Sequence, residues 1–517
     1  MTAPMVNLTI EGRQVSVPAG TSILEAAKQV GVLVPHYCYH PGLPVAGVCR
    51  MCLVEVEKAP KLAPACATSV AEGQVVHVHS QQSLKAREGV LEMLLINHPL
   101  DCPICDQSGE CELQDYTFAE GRADSRYQEP KRFNPVEDFG GDVLYVPNRC
   151  ILCTRCVRFM DDVADEAALN VSERGDRAVI GKAPGHDLTH AWAGNVVDLC
   201  PVGALLSKDF LNKARAWELD RTASVCPNCS QGCNTTIETR DNVVVRMKPR
   251  SNEDVNKFFM CDEGRGNYRW MNRTDRIVHP LVKVGDEHKE ADWDVALATV
   301  ASAMRNKRVF VFASPFLSNE ALYLLTRLKP AGSGYRVPGT GGPEQPLAGV
   351  ADLALRADRA PNGKGAELLG FARSDSPLAA MKDGDVLFVV DQELTDADVK
   401  HLSRASVVIF AGTVLTAEAG QRVNVALPLT NFAEEEGTFT NLRGRVQRFL
   451  QAKAGPALAR PSWFVLIDLL ALLGDKLDAY VPSDVFGRLA TDVPAFSGLS
   501  YDGLGLRGAS AKNGAHP

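Results

Sequence analysis

The sequence predicts a multidomain protein, α+β in its N-terminal half and α/β in its C-terminal half. Three observations carry that expectation. At 517 residues the chain exceeds what one hydrophobic core serves, and about 100 to 200 residues per domain suggests three or four domains. All fifteen cysteines lie between Cys38 and Cys261, so the chain falls into a cysteine-rich half and a cysteine-free half. Beyond about residue 280, the apolar runs VFVFAS, DVLFVVD and SVVIFAG alternate with helical stretches, the pattern of parallel strands buried on both faces.

Composition narrows the class. With 45% hydrophobic and 23% charged residues the chain reads as globular. Its net charge of -8 offers no basic field for nucleic acid or anionic lipid. The opening MTAPMVNLTIEGRQVSV goes straight into strand-like alternation without a leader pattern, so neither secretion nor organelle import is expected. WFVLIDLLALLGD, residues 463 to 475, is interrupted by Asp468 and falls short of the roughly 20 residues of a spanning helix. It predicts a buried helix, and leaves any membrane association to partners. In the reducing compartment this implies, disulfides rarely persist, and metal ligation is the expected use of the cysteines.

The elements follow in order. VNLTIEGRQVSV (6 to 17) alternates on both sides of Glu11-Gly12, a hairpin signal. GTSILEAAKQVG predicts a helix capped by Ser22, with Glu25 in capping-box spacing and Gly31 at its end. LVEVE (53 to 57) and QVVHVH (74 to 79) read as strands, with His77 and His79 on one face in a structural role. Two strands, a helix and two strands around a cysteine loop suggest a β-grasp ferredoxin-like unit. SLKAREGVLEMLLIN (83 to 97) places Leu84, Leu91, Leu94 and Leu95 at helical spacing and would deliver His98 into the next loop. Residues 118 to 148 read as surface connection and AWELDRTAS as helix-like. PAGSGYRVPGTGGPEQP and the tail after Val481 read as loop or loosely attached chain. The expected domains are residues 1–80, 81–120, 121–218, 219–275 and 276–517.

Four groups of ligands stand out. Cys38, Cys49, Cys52 and Cys66 form C-x10-C-x2-C-x13-C and suit a [2Fe-2S] cluster beside a sheet, although the spacing departs from the plant-type pattern. A four-cysteine zinc site is the bland alternative. Cys150, Cys153 and Cys156 with Cys200 in CPVGA carry a bacterial-ferredoxin signature for one [4Fe-4S] cluster. Met160 stands where a further cysteine would serve a second cluster. Cys226, Cys229, Cys233 and Cys261 form C-x2-C-x3-C-x27-C and suit another [4Fe-4S] cluster.

These groups use four cysteines each and leave Cys102, Cys105 and Cys111 in HPLDCPICDQSGEC, one thiolate short of a set. His98 is therefore the expected fourth ligand of a third [4Fe-4S] cluster, with a partner's cysteine or a water as alternatives. The bland reading has His98 capping the preceding helix end, where its cationic form favours the dipole. Imidazole in place of thiolate removes one negative charge, the direction that eases reduction in Rieske centres.

The fourth group resembles the N-terminal cluster motif of molybdopterin oxidoreductases. Glu263 stands where formate dehydrogenases resemble one another in a lysine, and no cysteine follows Cys261 to ligate molybdenum or tungsten. Taken together, CYHPGLPVAGVCRMC, HPLDCPICDQSGEC, CILCTRCVRF with NVVDLCPVGAL, and CPNCSQGC with MCDEGR resemble the large iron-sulfur subunit family of bacterial respiratory complex I. VALPLTNFAEEEGTFTNLRGRVQ resembles that family's degenerate molybdopterin-like domain, here shortened.

The resemblance implies a peripheral-arm subunit of NADH:quinone oxidoreductase, a translocase. NADH and FMN would bind a neighbouring subunit, electrons would pass through clusters of this chain, and quinone would be reduced further on, coupled to proton pumping in the membrane arm. It implies one [2Fe-2S] and three [4Fe-4S] clusters, no molybdopterin, no catalytic residue on this chain, other peripheral-arm subunits as partners, and a place on the cytoplasmic side of the bacterial inner membrane. The resemblance places the His98 cluster on an electron route, whereas the fourth cluster occurs in only some members and lies off the main route. The homologous electron-transfer subunit of a soluble NAD-linked hydrogenase or formate dehydrogenase is the closer alternative, and a catalytic molybdenum or tungsten enzyme or a zinc scaffold the more distant ones.

Other motifs read as chance or structure. GLGLRG (503 to 508) fits G-x-G-x-x-G without its strand-turn-helix context. GDRAVIGKA misses the phosphate-loop pattern, and Glu434, Glu435 and Glu436 read as a solvated turn.

Overall fold

The computed structural model describes residues 3–337 and 341–512. Two compact units emerge: Met1–Leu219 with Leu347–Ala351, and Asp220–Pro346 with Asp352–Pro517.

The first unit opens with the predicted hairpin. β1 (Met5–Ile10) and β2 (Arg13–Pro18) pair antiparallel, with Glu11 at φ 48° and Gly12 at φ 74°. Two successive left-handed residues match the twist of a two-residue hairpin. The helix Ile23–Gln29 starts on Ser22, whose hydroxyl accepts from the Glu25 amide. The capping box is not closed, because the Glu25 carboxylate instead accepts from the Tyr39 hydroxyl at 2.9 Å. β3 (Leu53–Val56), β4 (Ala63–Pro64) and β5 (Val75–His77) complete a sheet of order β2-β1-β5-β3-β4. Its core joins Ile10, Val17, Val54 and Val76 to Ile23 and Ala27. His77 pairs with Glu57 at 3.0 Å.

The helix Gln81–Leu95 forms as expected and buries Leu91, while Leu84 stays exposed. The stretch read as surface connection holds more than that. It begins inside the helix Glu112–Glu120, and its β6 (Glu137–Gly140) and β7 (Val143–Tyr145) bury Phe139 and Tyr145. β8 (Leu169–Ser172) pairs with β9 (Val179–Lys182), and β10 (Leu205–Ser207) joins β7.

The second unit begins with a correction. AWELDRTAS is helical only over a short turn at Ala216–Glu218 of the first unit; from Asp220 it is β11 (Asp220–Val225), paired with β12 (Asn234–Arg240), which pairs with β13 (Val243–Pro249). Alternation in DRTASV is weak because the polar Ser224 is buried, and a helix reading overlooks the partner strand.

An eight-stranded sheet follows. β14 (Leu281–Val284) and β15 (Glu287–Glu290) form an antiparallel edge. β16 (Val309–Ala313) and β17 (Gly332–Tyr335) are parallel. β18 (Gln345–Pro346) and β19 (Ala354–Leu355) make a small separate pair. β20 (Ala372–Arg373), β21 (Val386–Val390), β22 (Val407–Gly412) and β23 (Val425–Pro428) complete the order β15-β14-β23-β22-β21-β16-β17-β20. The apolar runs are buried on both faces. Val309, Val311, Val386, Phe388 and Ile409 meet the helices Trp293–Met304, Asn319–Arg327 and Ser462–Leu472. Phe310, Phe312, Leu387, Val389 and Phe410 face Leu378, Met381 and Leu402 on the other side. Period-two packing of a continuous apolar run is what a parallel strand between two helical layers requires.

Two further readings change. Of the Gly/Pro-rich stretch read as loop, Gly332–Tyr335 is the strand β17, and residues 338–340 lie outside the described residues. The tail after Val481 is anchored rather than loose. Its helix Pro482–Asp492 buries Val485, Phe486 and Leu489, and the helix Tyr501–Leu504 leads into the last strand of a small sheet. That sheet is formed by β24 (Gly437–Thr440), β25 (Arg445–Phe449) and β26 (Ala509–Ser510). GLGLRG therefore runs from a helix end into a strand, not from a strand into a phosphate-binding helix. Among the described residues, no helix is long and apolar enough to cross a membrane.

Candidate metal centres

The first set surrounds the loop between the helix Ile23–Gln29 and β3. Cys38, Cys52 and Cys66 are buried and Cys49 is half-buried. Their thiols form one contact network: Cys38 meets Cys49 and Cys66, and Cys52 meets Cys66. Hydrogen bonds from the neighbouring thiols hold Cys38 well below the thiol range and bring Cys52 to about 7, whereas Cys49 and Cys66 are raised. The Cys38 amide also donates to Cys49 Sγ at 3.5 Å. Arg50, at φ 59°, turns the loop so that Cys49 and Cys52 both reach this point. A chain of contacting thiols, Cys49 to Cys38 to Cys66 to Cys52, with a backbone amide donating to one sulfur, is a sulfur-rich donor set of the kind a cluster takes.

The third set rings a small cavity lined by Cys150, Cys153, Cys156 and Cys200 together with Tyr145 and Ile180. Leu152 and Thr154 both take left-handed backbone, at φ 52° and 60°, which coils CILCTRC around that cavity. Burial pushes the Cys150 thiol up to about 11 and Cys153 to about 12. The Leu152 amide donates to Cys150 Sγ at 3.4 Å, and the amides of Val202, Ala204 and Leu205 serve Cys200. Such a cavity stabilises neutral thiols in the metal-free chain, so metal binding must release protons.

In the second unit, Cys226, Cys229, Cys233 and Cys261 are all buried. The Cys226 amide donates to the Cys233 carbonyl at 2.7 Å, and the Gly264 amide to Cys261 Sγ at 3.3 Å. A Cβ at Gly264 would lie 3.1 Å from Cys226 Sγ and 3.3 Å from Cys261 Sγ, so glycine lets the backbone approach two sulfurs at once. Burial pushes Cys261 up to about 12. Glu263, at the position of the sought lysine, is paired with Arg359 at 2.7 Å.

The remaining set is less closed. Cys102 is exposed, Cys105 buried and Cys111 half-buried. Burial lifts the Cys111 thiol, and the nearby charges of Cys105 and Cys102 raise it further, to about 11. His98 follows the helix Gln81–Leu95 and sits near Lys131, Arg149 and Asp101, in a cavity that also touches Tyr145 and Cys150. Its Nδ1 is buried without a hydrogen-bond partner. Burial first, then the Lys131 and Arg149 charges, bring the imidazole down to about 4, which leaves it neutral and ready to ligate. A buried, unsatisfied nitrogen is unusual unless something absent satisfies it. Among the described residues, no three His, Cys, Asp or Glu side chains converge as tightly as a single metal ion would need.

Several residues around these sets carry no sequence signal of their own. Arg158 donates to the Cys38 carbonyl at 2.5 Å and to the Cys153 carbonyl at 3.3 Å. Arg155 donates to the Tyr39 carbonyl at 2.9 Å and the Leu199 carbonyl at 3.2 Å. These arginines join the loops of the first and third sets. Gly203, three residues after Cys200, lies so close to Cys105 that a Cβ there would be 2.2 Å from its Sγ. Arg149 pairs with Asp101 at 2.9 Å and ties the Cys102 loop to Cys150. The acidic triplet also needs correction. Glu434 and Glu435 are 1% and 6% exposed; Glu434 meets Arg276 at 2.6 Å, and Glu435 accepts from the Ser462 amide at 3.0 Å. Burial pushes Glu435 up to about 7.

Comparison with known proteins matches several stretches of the chain to families. Residues 3–81 match a 2Fe-2S iron-sulfur cluster binding domain, 87–126 the NADH-ubiquinone oxidoreductase-G iron-sulfur binding region, and 140–206 the NADH-quinone oxidoreductase subunit 3 ferredoxin-like domain. Residues 219–273 match the molybdopterin oxidoreductase Fe4S4 domain and 363–471 molybdopterin oxidoreductase. The mitochondrial NADH-ubiquinone oxidoreductase 78 kDa subunit of Candida albicans is 37% identical over 97% of this chain and 67% of its own length. The chain belongs to the large iron-sulfur subunit family of NADH-quinone oxidoreductases.

The corresponding G subunit of the NADH-quinone oxidoreductase of Rickettsia bellii is 40% identical over 62% of this chain and 47% of that protein. The chain thus spans about two thirds of the Candida relative and about half of the Rickettsia one. Among solved structures, an NAD+-reducing [NiFe]-hydrogenase chain in the H2-reduced state is 29% identical, with a TM-score of 0.35, over 40% of this chain and 90% of that one. Family membership makes iron-sulfur binding a property of these domains.

Proposed function

We propose that this chain is an electron-conducting subunit of the peripheral arm of NADH:quinone oxidoreductase, on the cytoplasmic side of a bacterial inner membrane. It would hold one [2Fe-2S] cluster on Cys38, Cys49, Cys52 and Cys66. Three [4Fe-4S] clusters would sit on His98 with Cys102, Cys105 and Cys111, on Cys150, Cys153, Cys156 and Cys200, and on Cys226, Cys229, Cys233 and Cys261. Bound clusters supply one-electron chemistry, and the protein supplies ligation, burial and spacing. NADH and flavin would bind a partner subunit, which would carry the substrate chemistry in place of this chain.

The observation that carries the reading is the shared guanidinium of Arg158, which donates to the carbonyls of Cys38 and Cys153. A conduit needs its centres held at fixed separation and shielded from water, and one side chain clamping two ligand loops serves both needs. Its positive charge offsets part of the negative charge that reduction adds. For His98, the support is an unpartnered Nδ1 close to the cationic Lys131 and Arg149.

Anaerobic purification tests the reading. Iron and acid-labile sulfide near about 14 each per chain, no molybdenum, tungsten or pterin, and recovery with membrane quinone-reducing subunits are expected. Recovery with a hydrogenase or formate dehydrogenase instead would overturn the assignment to complex I.

A further inference from the structure

The eight-stranded sheet of the second unit has a feature that the thiol sets leave unused. The chain enters at β16 and adds β17 and β20 on one side, then returns to lay β21, β22 and β23 on the other. The loops leaving β16 and β21 therefore diverge at the carboxyl edge of the sheet. In open α/β sheets this reversal point opens the crevice in which ligands sit.

Here the crevice is a cavity of about 730 Å³, lined by Ser314 and Phe316 after β16, by Asp391 after β21, and by Trp270, Arg359 and Glu435. That volume falls within the roughly 300 to 1,000 Å³ of small-molecule sites. Its charge selects the ligand. Arg359 is already paired with Glu263, while the other charged lining groups, Asp391, Glu393 and Glu435, are carboxylates. Glu435 is held by Ser462 and Thr430. Burial and the neighbouring Glu435 push the Asp391 carboxyl up to about 7, with only the Arg276 charge opposing them, so Asp391 gains its negative charge above that pH or when a cation sits beside it. Trp270, Phe316 and Phe432 supply aromatic walls. Above about pH 7 an anion would meet three carboxylates and an arginine whose charge already faces Glu263, although its buried Nη1 has no hydrogen-bond partner.

We propose that this crevice binds a small organic cation with a flat apolar body, an aromatic amine or amidine, its charged end on Asp391 and its ring against Trp270. A carboxylate facing a charged donor supplies a charge-assisted hydrogen bond, and the indole face attracts a cation as well. The site needs no metal and is independent of the electron-transfer reading.

Isothermal titration calorimetry of the full chain at about pH 8, above the raised Asp391 carboxyl, with benzamidine alongside benzoate and GMP, tests it. Saturable benzamidine binding is expected, with affinity lowered at least about tenfold in Asp391→Asn, the loss of one charge-assisted contact, and no binding of benzoate or GMP. Trp270→Leu, which leaves the carboxylates intact, should weaken benzamidine about fivefold or more. Unchanged affinity in both variants, absence of saturable heat up to about 10 mM benzamidine, or binding of GMP or benzoate in its place overturns the proposal.

Discussion

The guanidinium of Arg158 donates to the carbonyl of Cys38 at 2.5 Å, across 120 residues of sequence, while the same group reaches the Cys153 carbonyl beneath its own turn. One side chain thus fixes two ligand loops. Arg158→Gln removes these two charge-assisted bonds together with those to the Pro44 carbonyl and the Thr154 hydroxyl, and should cost about 2 to 3 kcal/mol of stability or more, measured by urea denaturation. Losing a positive charge beside two cluster sites should also lower both midpoint potentials in an EPR-monitored redox titration. Arg158→Lys keeps the charge but lacks the fork that spans two carbonyls, so it should restore the potentials more than the stability. Two unshifted potentials in the glutamine variant would separate this arginine from the cluster sites.

Gly203 tests the close approach of the second and third sets. A methyl group there would meet Cys105 Sγ at 2.2 Å, with Gln107 Cβ behind it at 3.2 Å. Overpacking of this kind costs about 1 to 3 kcal/mol, and relief requires Cys105 to move. Gly203→Ala should therefore lose about four irons of about 14 while the [2Fe-2S] signal survives. Full iron content would show that the loop yields without giving up its thiol.

These two residues show where sequence legibility stops. The thiol sets are legible because their spacing is mostly local, and VFVFA, VLFVV and VVIFAG are legible because a doubly buried strand is apolar at every position. Arg158 and Gly203 act on groups far away in the chain, and nothing in CVRF or CPVGA announces which carbonyl or sulfur they meet. The acidic triplet misleads for the same reason: its partner Arg276 lies 158 residues upstream. In the tail after Val481, the buried Val485, Phe486 and Leu489 have helical spacing, yet the flanking glycines outweigh a single amphipathic turn. DRTASV becomes a strand only through its partner β12.

The proposed ligand role of His98 predicts a signed effect. His98→Cys adds one negative charge to the set, so that cluster's midpoint potential should fall relative to wild type, the reverse of the histidine effect in Rieske centres. His98→Ala should reduce or abolish one [4Fe-4S] signal in low-temperature EPR and lower iron content accordingly. An alanine variant with an unchanged spectrum and full iron removes His98 from the ligand set and leaves its orphaned Nδ1 to be satisfied by water.

Glu320 makes the C-terminal unit's stability depend on pH. It is fully buried beneath the small sheet of β24 and β25, accepting from the Thr438 amide and hydroxyl, both at 2.9 Å. Burial pushes its carboxyl from 4.5 up to about 7. Because the folded state holds this proton more tightly than the unfolded chain, the stabilisation is present below about pH 4.5 and is lost progressively as pH rises toward 7. Glu320→Gln keeps an acceptor for the amide and a donor for the hydroxyl without an ionisable group. Its urea midpoint should be less sensitive to pH than wild type across that window, with a gain of about 1 to 3 kcal/mol at pH 8. Parallel pH profiles for the two proteins would mean that Glu320 titrates no differently in the folded and unfolded chain.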